Sequence, residues 1–152
     1  MDYKALESKI SELDQDLEFS EEAGFLNVMV PSTRFLSLMQ ALRTNEALNF
    51  DYMFCLTGVD WPEHMSVVYH LKSTNHEHCV VIKAIINSRE DPKIDTVSNI
   101  WRTAEMHERE VYDLFGIVFK GHPDLRRIFL EDDWVGWPLR KDYVDEVNIV
   151  EL

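Results

Sequence analysis

Apolar residues recur along the first third of the chain at helical and at strand spacing. Four aliphatic residues predict a first amphipathic helix with an acidic outer face; they are Leu6, Ile10, Leu13 and Leu17. A short apolar stretch over residues 25–30, ended by Pro31, predicts a strand. Ser32 is then expected to be the N-cap of a second helix, whose apolar face carries Phe35, Leu38, Met39 and Leu42.

The middle of the chain has the patterns of β-strands. Residues 52–57 form a near-continuous apolar run, which predicts a central strand buried on both faces. Apolar and polar residues alternate over 65–71, and a loop over 73–77 leads to a return strand over 78–86. With a helix after them, these elements predict an α+β fold. It is a two-layer sandwich with a mixed sheet of about four strands, helices mainly on one face, and an extended C-terminal tail.

The predicted third helix carries a carboxylate within its apolar stripe. The stripe consists of Val97, Ile100, Trp101, Ala104, Val111 and Phe115. Glu108 lies on the same stripe, four residues after Ala104. Because a buried charge needs a partner, we predict that Glu108 is buried and engages an arginine, Arg126 first and Arg102 second. The helix is expected to stop at Gly116.

The segment from Lys120 to Tyr143 has no periodicity, although it is rich in apolar anchors. Aromatic and arginine side chains in a segment of this kind are typical of a protein interface. The predicted partner-binding residues are Arg126, Arg127, Trp134, Trp137, Arg140, Lys141 and Tyr143. The rival interpretation is that the segment folds back onto its own sheet. We therefore divide the single domain into an α+β unit, residues 1–119, and an extended partner-binding tail, residues 120–152.

Composition and missing motifs exclude several classes of function. A net charge of −13 and a pI near 4.7 leave no basic footprint for nucleic acid. Apolar runs last only about six residues, whereas a membrane helix needs roughly 20, so we expect no membrane span. The sequence has no Cys-x-x-Cys pair, glycine-rich phosphate loop or nucleophile elbow. We therefore predict no catalytic residue, no metal ligand and no cofactor-binding residue in this chain.

Two stretches near the C-terminal end have an unusual composition that resembles a known family. They read EREVYDLFGIVFKGHPDLRRI over residues 108–128 and GWPLRKDY over residues 136–143. Both resemble the C subunit of NADH-quinone oxidoreductase, which is the 30 kDa subunit of respiratory complex I. The matching motif positions include Glu108, Arg109, Glu110, Asp113, Gly116, His122, Pro123 and Arg126. The resemblance covers about a third of the chain.

The resemblance implies a structural subunit of the peripheral arm without a redox centre or a catalytic activity of its own. Such a protein packs against the D subunit near the quinone-binding region, with the B subunit and other peripheral-arm subunits nearby. FMN and iron–sulfur clusters are then expected in other subunits of the complex, which couples electron transfer from NADH to quinone to ion translocation. Membrane association is expected only through the complex, at the cytoplasmic face of the cell inner membrane.

Two other functions are compatible with the same residues. A homologous subunit of a membrane-bound nickel–iron hydrogenase or a formate hydrogenlyase would share this domain. A free-standing acid–base enzyme would use the carboxylates of Glu108, Glu110 and Asp113, since paired carboxylates can transfer protons. The sequence lacks the nucleophile or metal motif that would accompany such chemistry, and we therefore favour the subunit of complex I.

Overall fold

The structure is a computed structural model that describes residues 1–145 as ten helices and strands around one hydrophobic core. In chain order they are α1 (Tyr3–Ser11), β1 (Glu18–Glu22), β2 (Phe25–Pro31), α2 (Ser32–Thr44), β3 (Tyr52–Asp60), β4 (Met65–Lys72), β5 (Cys79–Ile86), β6 (Lys93–Asp95), α3 (Ala104–Phe115) and β7 (Val118–Lys120). The main sheet has the strand order β1-β2-β5-β4-β3. Its β2–β5 pair is parallel and its other pairs are antiparallel, so the predicted α+β fold with a mixed sheet is confirmed.

The sheet has five strands rather than about four, because the sequence pattern did not reveal β1. Its sequence, EFSEE, has one apolar residue and therefore lacks the alternation that marks a half-buried strand. The strand forms a hairpin with β2 through a turn at Ala23 and Gly24, which both have positive φ. A separate pair of short strands, β6 and β7, runs parallel beside the main sheet.

The first helix is shorter than predicted. It ends at Ser11, and Leu13 and Leu17 lie beyond it, half-buried against the core. The Asp14 carboxylate accepts a hydrogen bond from the Asp16 N–H and pairs with Arg34, which favours a turn over another helical residue. The apolar period therefore continues past the end of the helix.

The second helix begins at the predicted place with a different cap. Pro31 occupies the N-cap position in an extended conformation, and no side chain caps the helix, so the prediction of Ser32 as the N-cap is wrong. The pre-set φ of proline stabilises the start of the helix without a side-chain hydrogen bond. The predicted apolar face is confirmed, since Phe35, Leu38, Met39 and Leu42 are all buried.

Strand β3 lies at an edge of the sheet, not at its centre as predicted. Its residues alternate between buried and exposed, with Tyr52 and Phe54 turned outward and Met53 and Leu56 turned into the core. All three helices contribute to the core that covers the inner face of the sheet. At Gly58 the α3 helix approaches so closely that an added Cβ would lie 2.9 Å from the Phe115 ring. This contact fixes α3 against β3 and leaves the opposite side of the helix for the tail.

Candidate assembly surface

The described part of the tail, residues 121–145, runs back over α3 without forming a helix or a strand. The side chain of Arg109 on α3 donates hydrogen bonds of 3.1 Å to the carbonyl oxygens of Arg126 and Arg127. Leu125 packs against the hydrophobic core. The tail is therefore held by side chains of the helix that it covers. The predicted absence of regular structure is confirmed for residues 121–145, whereas Lys120, the first residue of the predicted tail, belongs to β7. Residues 146–152 of the predicted tail lie outside the described residues.

The centre of this contact is the carboxylate of Asp113, which is fully buried. Its Oδ1 accepts from the Arg127 guanidinium at 3.0 Å, and its Oδ2 accepts from three consecutive backbone N–H groups, those of Ile128, Phe129 and Leu130, at 2.7–3.2 Å. Burial raises the pKa of the Asp113 carboxyl, but these hydrogen bonds outweigh burial and hold the pKa below its ordinary value. One side chain of α3 thus satisfies the backbone donors of a whole turn of the tail.

Arg127 completes the arrangement from the tail side. Only 8% of its side chain is exposed, and its guanidinium also donates to the carbonyl oxygens of Asp113, Trp134 and Gly136 at 2.9–3.1 Å. The same group lies over the Trp137 ring, 4.4 Å from its centroid, in a cation–π contact. A planar guanidinium with five N–H donors can make all of these contacts at once, which lysine cannot.

Gly116 explains how Trp137 reaches the end of α3. The helix stops at this residue, as predicted, in a left-handed conformation with φ of +75°. An added Cβ would lie 2.6 Å from the indole of Trp137, so a side chain at this position would displace the ring. Glycine is therefore required both for the helix end and for the close contact with the tail.

The last part of the described tail is tied to the main sheet. The Arg140 guanidinium donates to the Phe115 carbonyl oxygen at 2.6 Å, and the Lys141 N–H donates to the buried Asp60 carboxylate at 2.9 Å. Arg89 pairs with the other oxygen of Asp60 at 2.6 Å. Burial raises the pKa of Asp60, but the hydrogen bonds of Lys141 and Arg89 prevail and lower it. Asp60 therefore fastens the tail to the C-terminal end of β3.

Glu108 is fully buried, as predicted, but it does not pair with an arginine. Its carboxylate accepts from the Thr96 hydroxyl at 2.5 Å and from the Val97 N–H at 2.8 Å. Arg126 instead pairs with Asp124 at the surface, and Arg102 is exposed. Burial raises the pKa of Glu108 to about 7, against the opposing effect of its two hydrogen bonds. The arginine pair expected for this helix belongs to the other buried carboxylate, Asp113, because the tail covers that side of α3.

The remaining predicted residues divide between the scaffold and the outer surface. Arg127, Trp137 and Arg140 make internal contacts, which agrees with the rival interpretation of a segment that folds back. Trp134 and Tyr143 are half-buried, whereas Glu110, Pro123, Arg126 and Lys141 are exposed. The carboxylates of Glu108 and Asp113 have separate buried partners while Glu110 is exposed, so these three residues do not form a common acid–base centre.

The outward side of the tail presents large apolar side chains to solvent. Val135 is 87% exposed, Phe129 65% and Leu139 52%, although their neighbours Arg127 and Trp137 are held inside. We call Phe129, Val135 and Leu139 the tail surface. Exposed apolar residues on a segment that is fixed from inside are candidates for contact with a partner. Sequence reasoning did not place these three among the partner-binding residues, because the pattern alone does not separate anchors that point inward from those that point outward.

Two classes of site are not found among residues 1–145. No group of three or more histidine, cysteine, aspartate or glutamate side chains in this part of the chain could hold a metal ion. None of the helices described has both the length and the apolar character that crossing a bilayer requires.

Sequence comparison identifies relatives over most of the chain. The sequence model of a family described as "Respiratory-chain NADH dehydrogenase, 30 Kd subunit" matches residues 28–147. The C subunit of NADH-quinone oxidoreductase from Chloroherpeton thalassium is 44% identical over 97% of this chain and 62% of its own length. The C/D subunit of NADH-quinone oxidoreductase from Phocaeicola vulgatus is 49% identical over 74% of this chain but only 22% of its own length. The chain thus spans less than two thirds of the length of either relative.

A solved structure has the same fold. It is described as the membrane-bound sulfane sulfur reductase, an archaeal respiratory membrane complex. One of its chains superposes with a TM-score of 0.79 at 27% identity, and the match covers 95% of this chain and 86% of that chain.

Proposed function

The chain belongs to the family of the 30 kDa subunit of respiratory-chain NADH dehydrogenase, and from that premise we propose that it is a structural subunit of the peripheral arm of NADH-quinone oxidoreductase, complex I. In this function it packs against the D subunit near the quinone-binding region and stabilises the conformation of that partner. Electron transfer from NADH to quinone, coupled to ion translocation, is then the activity of the whole complex. The chain itself contributes no catalytic group.

The observation that carries this proposal is the tail surface on its internal scaffold. The Asp113–Arg127 pair fixes the segment from inside, so that Phe129, Val135 and Leu139 are presented outward without a further cost of ordering. A pre-ordered apolar surface of this kind suits a permanent contact between subunits. The C/D relative supports the D subunit as the occupant, because its name joins the C and D subunits in one protein.

We infer that no redox cofactor is held by this chain, and that FMN and iron–sulfur clusters belong to other subunits. The support is the sequence itself, in which two cysteines stand 24 residues apart and the five glycines form no phosphate loop. The B subunit and other peripheral-arm subunits are further proposed neighbours. The chain would reach the membrane only through the complex, at the cytoplasmic face of the cell inner membrane.

The test is co-purification of the D subunit with the full chain and with two matched variants. Phe129→Ser combined with Leu139→Ser removes two side chains of the tail surface and should strongly reduce the amount of the D subunit recovered. Phe54→Ser is the control, since Phe54 is also an exposed phenylalanine, 38% accessible, but lies on the outer face of the sheet. Its recovery of the D subunit should equal that of the unaltered chain.

Stability measurements on each variant separate loss of the contact from loss of the fold. Each substitution removes an exposed side chain, so the free energy of unfolding of either variant should stay within about 0.5 kcal/mol of the original. Equal recovery of the D subunit by all three proteins would exclude the tail surface as the contact. Loss of recovery with Phe54→Ser alone would move the contact to the sheet.

A second candidate function is the homologous subunit of a membrane-bound nickel–iron hydrogenase or a formate hydrogenlyase. The observation in its favour is the solved structure of the same fold, which belongs to a respiratory membrane complex with a different name. The same purification separates the two candidates, because a nickel-binding large subunit would co-purify in one case and a quinone-reducing assembly in the other.

A further inference from the structure

The buried side of α3 contains a carboxylate that pairs with no arginine or lysine among the described residues. Glu108 is fully buried, and its two hydrogen-bond donors, Thr96 and Val97, are uncharged. The nearest basic group described is the imidazole of His122, whose Nε2 lies 3.9 Å from Glu108 Oε2. The side chains of both residues are completely shielded from solvent. A carboxylate in this position is unfavourable unless a proton compensates its charge.

The hydrogen bonds of His122 determine which of its ring nitrogens carries the proton. Its Nδ1 accepts from the Asp124 N–H at 3.0 Å, so the ring proton of the neutral form lies on Nε2. Nε2 then donates to the Glu105 carbonyl oxygen at 2.9 Å. His122 therefore joins the first residues of the tail to α3, and its ring proton lies on the side of the ring that faces Glu108.

Other titratable groups surround the pair. Tyr69 of β4 is fully buried, its hydroxyl has no hydrogen-bond partner among the described residues, and the charge of Glu108 acts on it. Glu105 of α3 repels the Glu108 charge. A cavity of about 410 Å³ opens beside Thr96 and Glu105, and Asp95 pairs with Lys120 at its rim. None of these groups supplies a positive charge in direct contact with Glu108.

We propose that Glu108, packed beside His122, is a buried proton-binding site that carries one proton on its own carboxyl group, and that loss of this proton loosens the contact between residues 96–98, α3 and the start of the tail. With this proton present, Glu108 is uncharged, which suits its burial. Without the proton, Glu108 is an anion beside a neutral imidazole. The proton leaves to solvent through the adjacent cavity as the contact opens and water reaches the carboxylate.

The sign of the effect follows from burial. Burial raises the pKa of Glu108 from its ordinary value of 4.5 to about 7 in the folded chain. The stability that this group contributes is therefore fully present below pH 4.5 and is lost as pH rises through 7. Between pH 6 and 8 the equilibrium constant for local opening should rise about tenfold. A rise in pH should therefore release the start of the tail while the main sheet stays unchanged.

Hydrogen exchange on the full chain tests the proposal at two amides. The Val97 N–H is bound to Glu108, and the Asp124 N–H is bound to His122. After correction for the intrinsic rate, exchange at both should accelerate about tenfold from pH 6 to 8. Glu108→Gln should abolish this acceleration, whereas Glu110→Gln, which alters an exposed carboxylate of the same helix, should retain it.

A titration of the unaltered chain makes the test independent of whether the variants fold. Nuclear magnetic resonance of the carboxyl carbons should show Glu108 titrating near neutral pH. Titration of Glu108 below pH 5 would overturn the proposal. So would a Glu108→Gln variant whose two amides accelerate with pH as they do in the unaltered chain.

Discussion

Replacement of Asp113 by asparagine should detach the tail from α3 and destabilise the whole chain. The substitution removes the charge opposite Arg127, whose side chain is only 8% exposed, and leaves the guanidinium buried without its carboxylate. It also directs an amide NH₂ or a single oxygen toward the N–H groups of Ile128, Phe129 and Leu130, which now share one carboxylate oxygen. A buried donor that loses its acceptor is costly, so these effects add in the same direction.

The expected loss is about 3 kcal/mol in the free energy of unfolding. Removal of one partner from a buried ion pair costs about 3–5 kcal/mol. The lower end applies because Arg127 keeps three carbonyl acceptors, those of Asp113, Trp134 and Gly136. For a chain of this size the midpoint of thermal unfolding should fall by about 6–12 °C.

A double-mutant cycle in urea measures the coupling directly. The cycle compares Asp113→Asn, Arg127→Met and the combination of both, and methionine preserves apolar contact with Trp137. We expect the double variant to be more stable than the sum of the single losses predicts, by at least about 1 kcal/mol. Glu110→Gln on the exposed side of α3 is the control and should change stability by less than about 0.5 kcal/mol. Additive losses, or an Asp113→Asn variant as stable as the control, would refute the role of Asp113.

Three further predictions concern the contacts of the tail. Gly116→Ala should destabilise the chain by about 1–3 kcal/mol, because position 116 has φ of +75°, which disfavours a residue with a Cβ, and the new Cβ meets the Trp137 indole; a shift of tryptophan fluorescence should accompany the loss. Asp60→Asn should free the Lys141 N–H while leaving α3 intact, and hydrogen exchange at that amide should report it. Asp60 and Asp113 both have lowered pKa values, so the stability that they contribute is present above pH 3.8 and is lost as pH falls below it. An acid titration followed by tryptophan fluorescence should show the tail detaching before the sheet unfolds.

Apolar periodicity was sufficient for the elements whose burial depends on one face. The stripe of α2 and the alternation of β4 were predicted correctly, since the residues of the predicted faces are buried in the same core. The position of β3 was wrong, because an apolar run is found both in a central strand and in an edge strand that turns aromatic residues outward. Strand β1 was not predicted, because it is held by pairing with β2 rather than by burial of its own side chains.

The candidate site shows a different limit of sequence reasoning. The stripe identified Glu108 as buried, but the partner of a buried carboxylate depends on which loop covers it, and periodicity carries no such information. Asp113 lies off the stripe and is buried only because the tail crosses it. Its contacts are therefore a property of the folded tail and not of the helix pattern. Asp60 shows the same dependence on the tail, through Lys141.

The anchors of the tail also determine the order in which the domain is completed. Lys141 contacts Asp60, 81 positions earlier in the chain, and Arg140 contacts Arg89, 51 positions earlier. Contacts between such distant residues form slowly, and the tail has no hydrogen-bonded ladder that could form before them. Because these anchors need β3 and the residues around Arg89 in place, we expect the last part of the tail to dock after the sheet has formed and to detach before the sheet unfolds. The chain therefore presents Phe129, Val135 and Leu139 in fixed positions only after the rest of the domain has folded. A partner that binds the tail surface would thus select folded chains over incompletely folded ones.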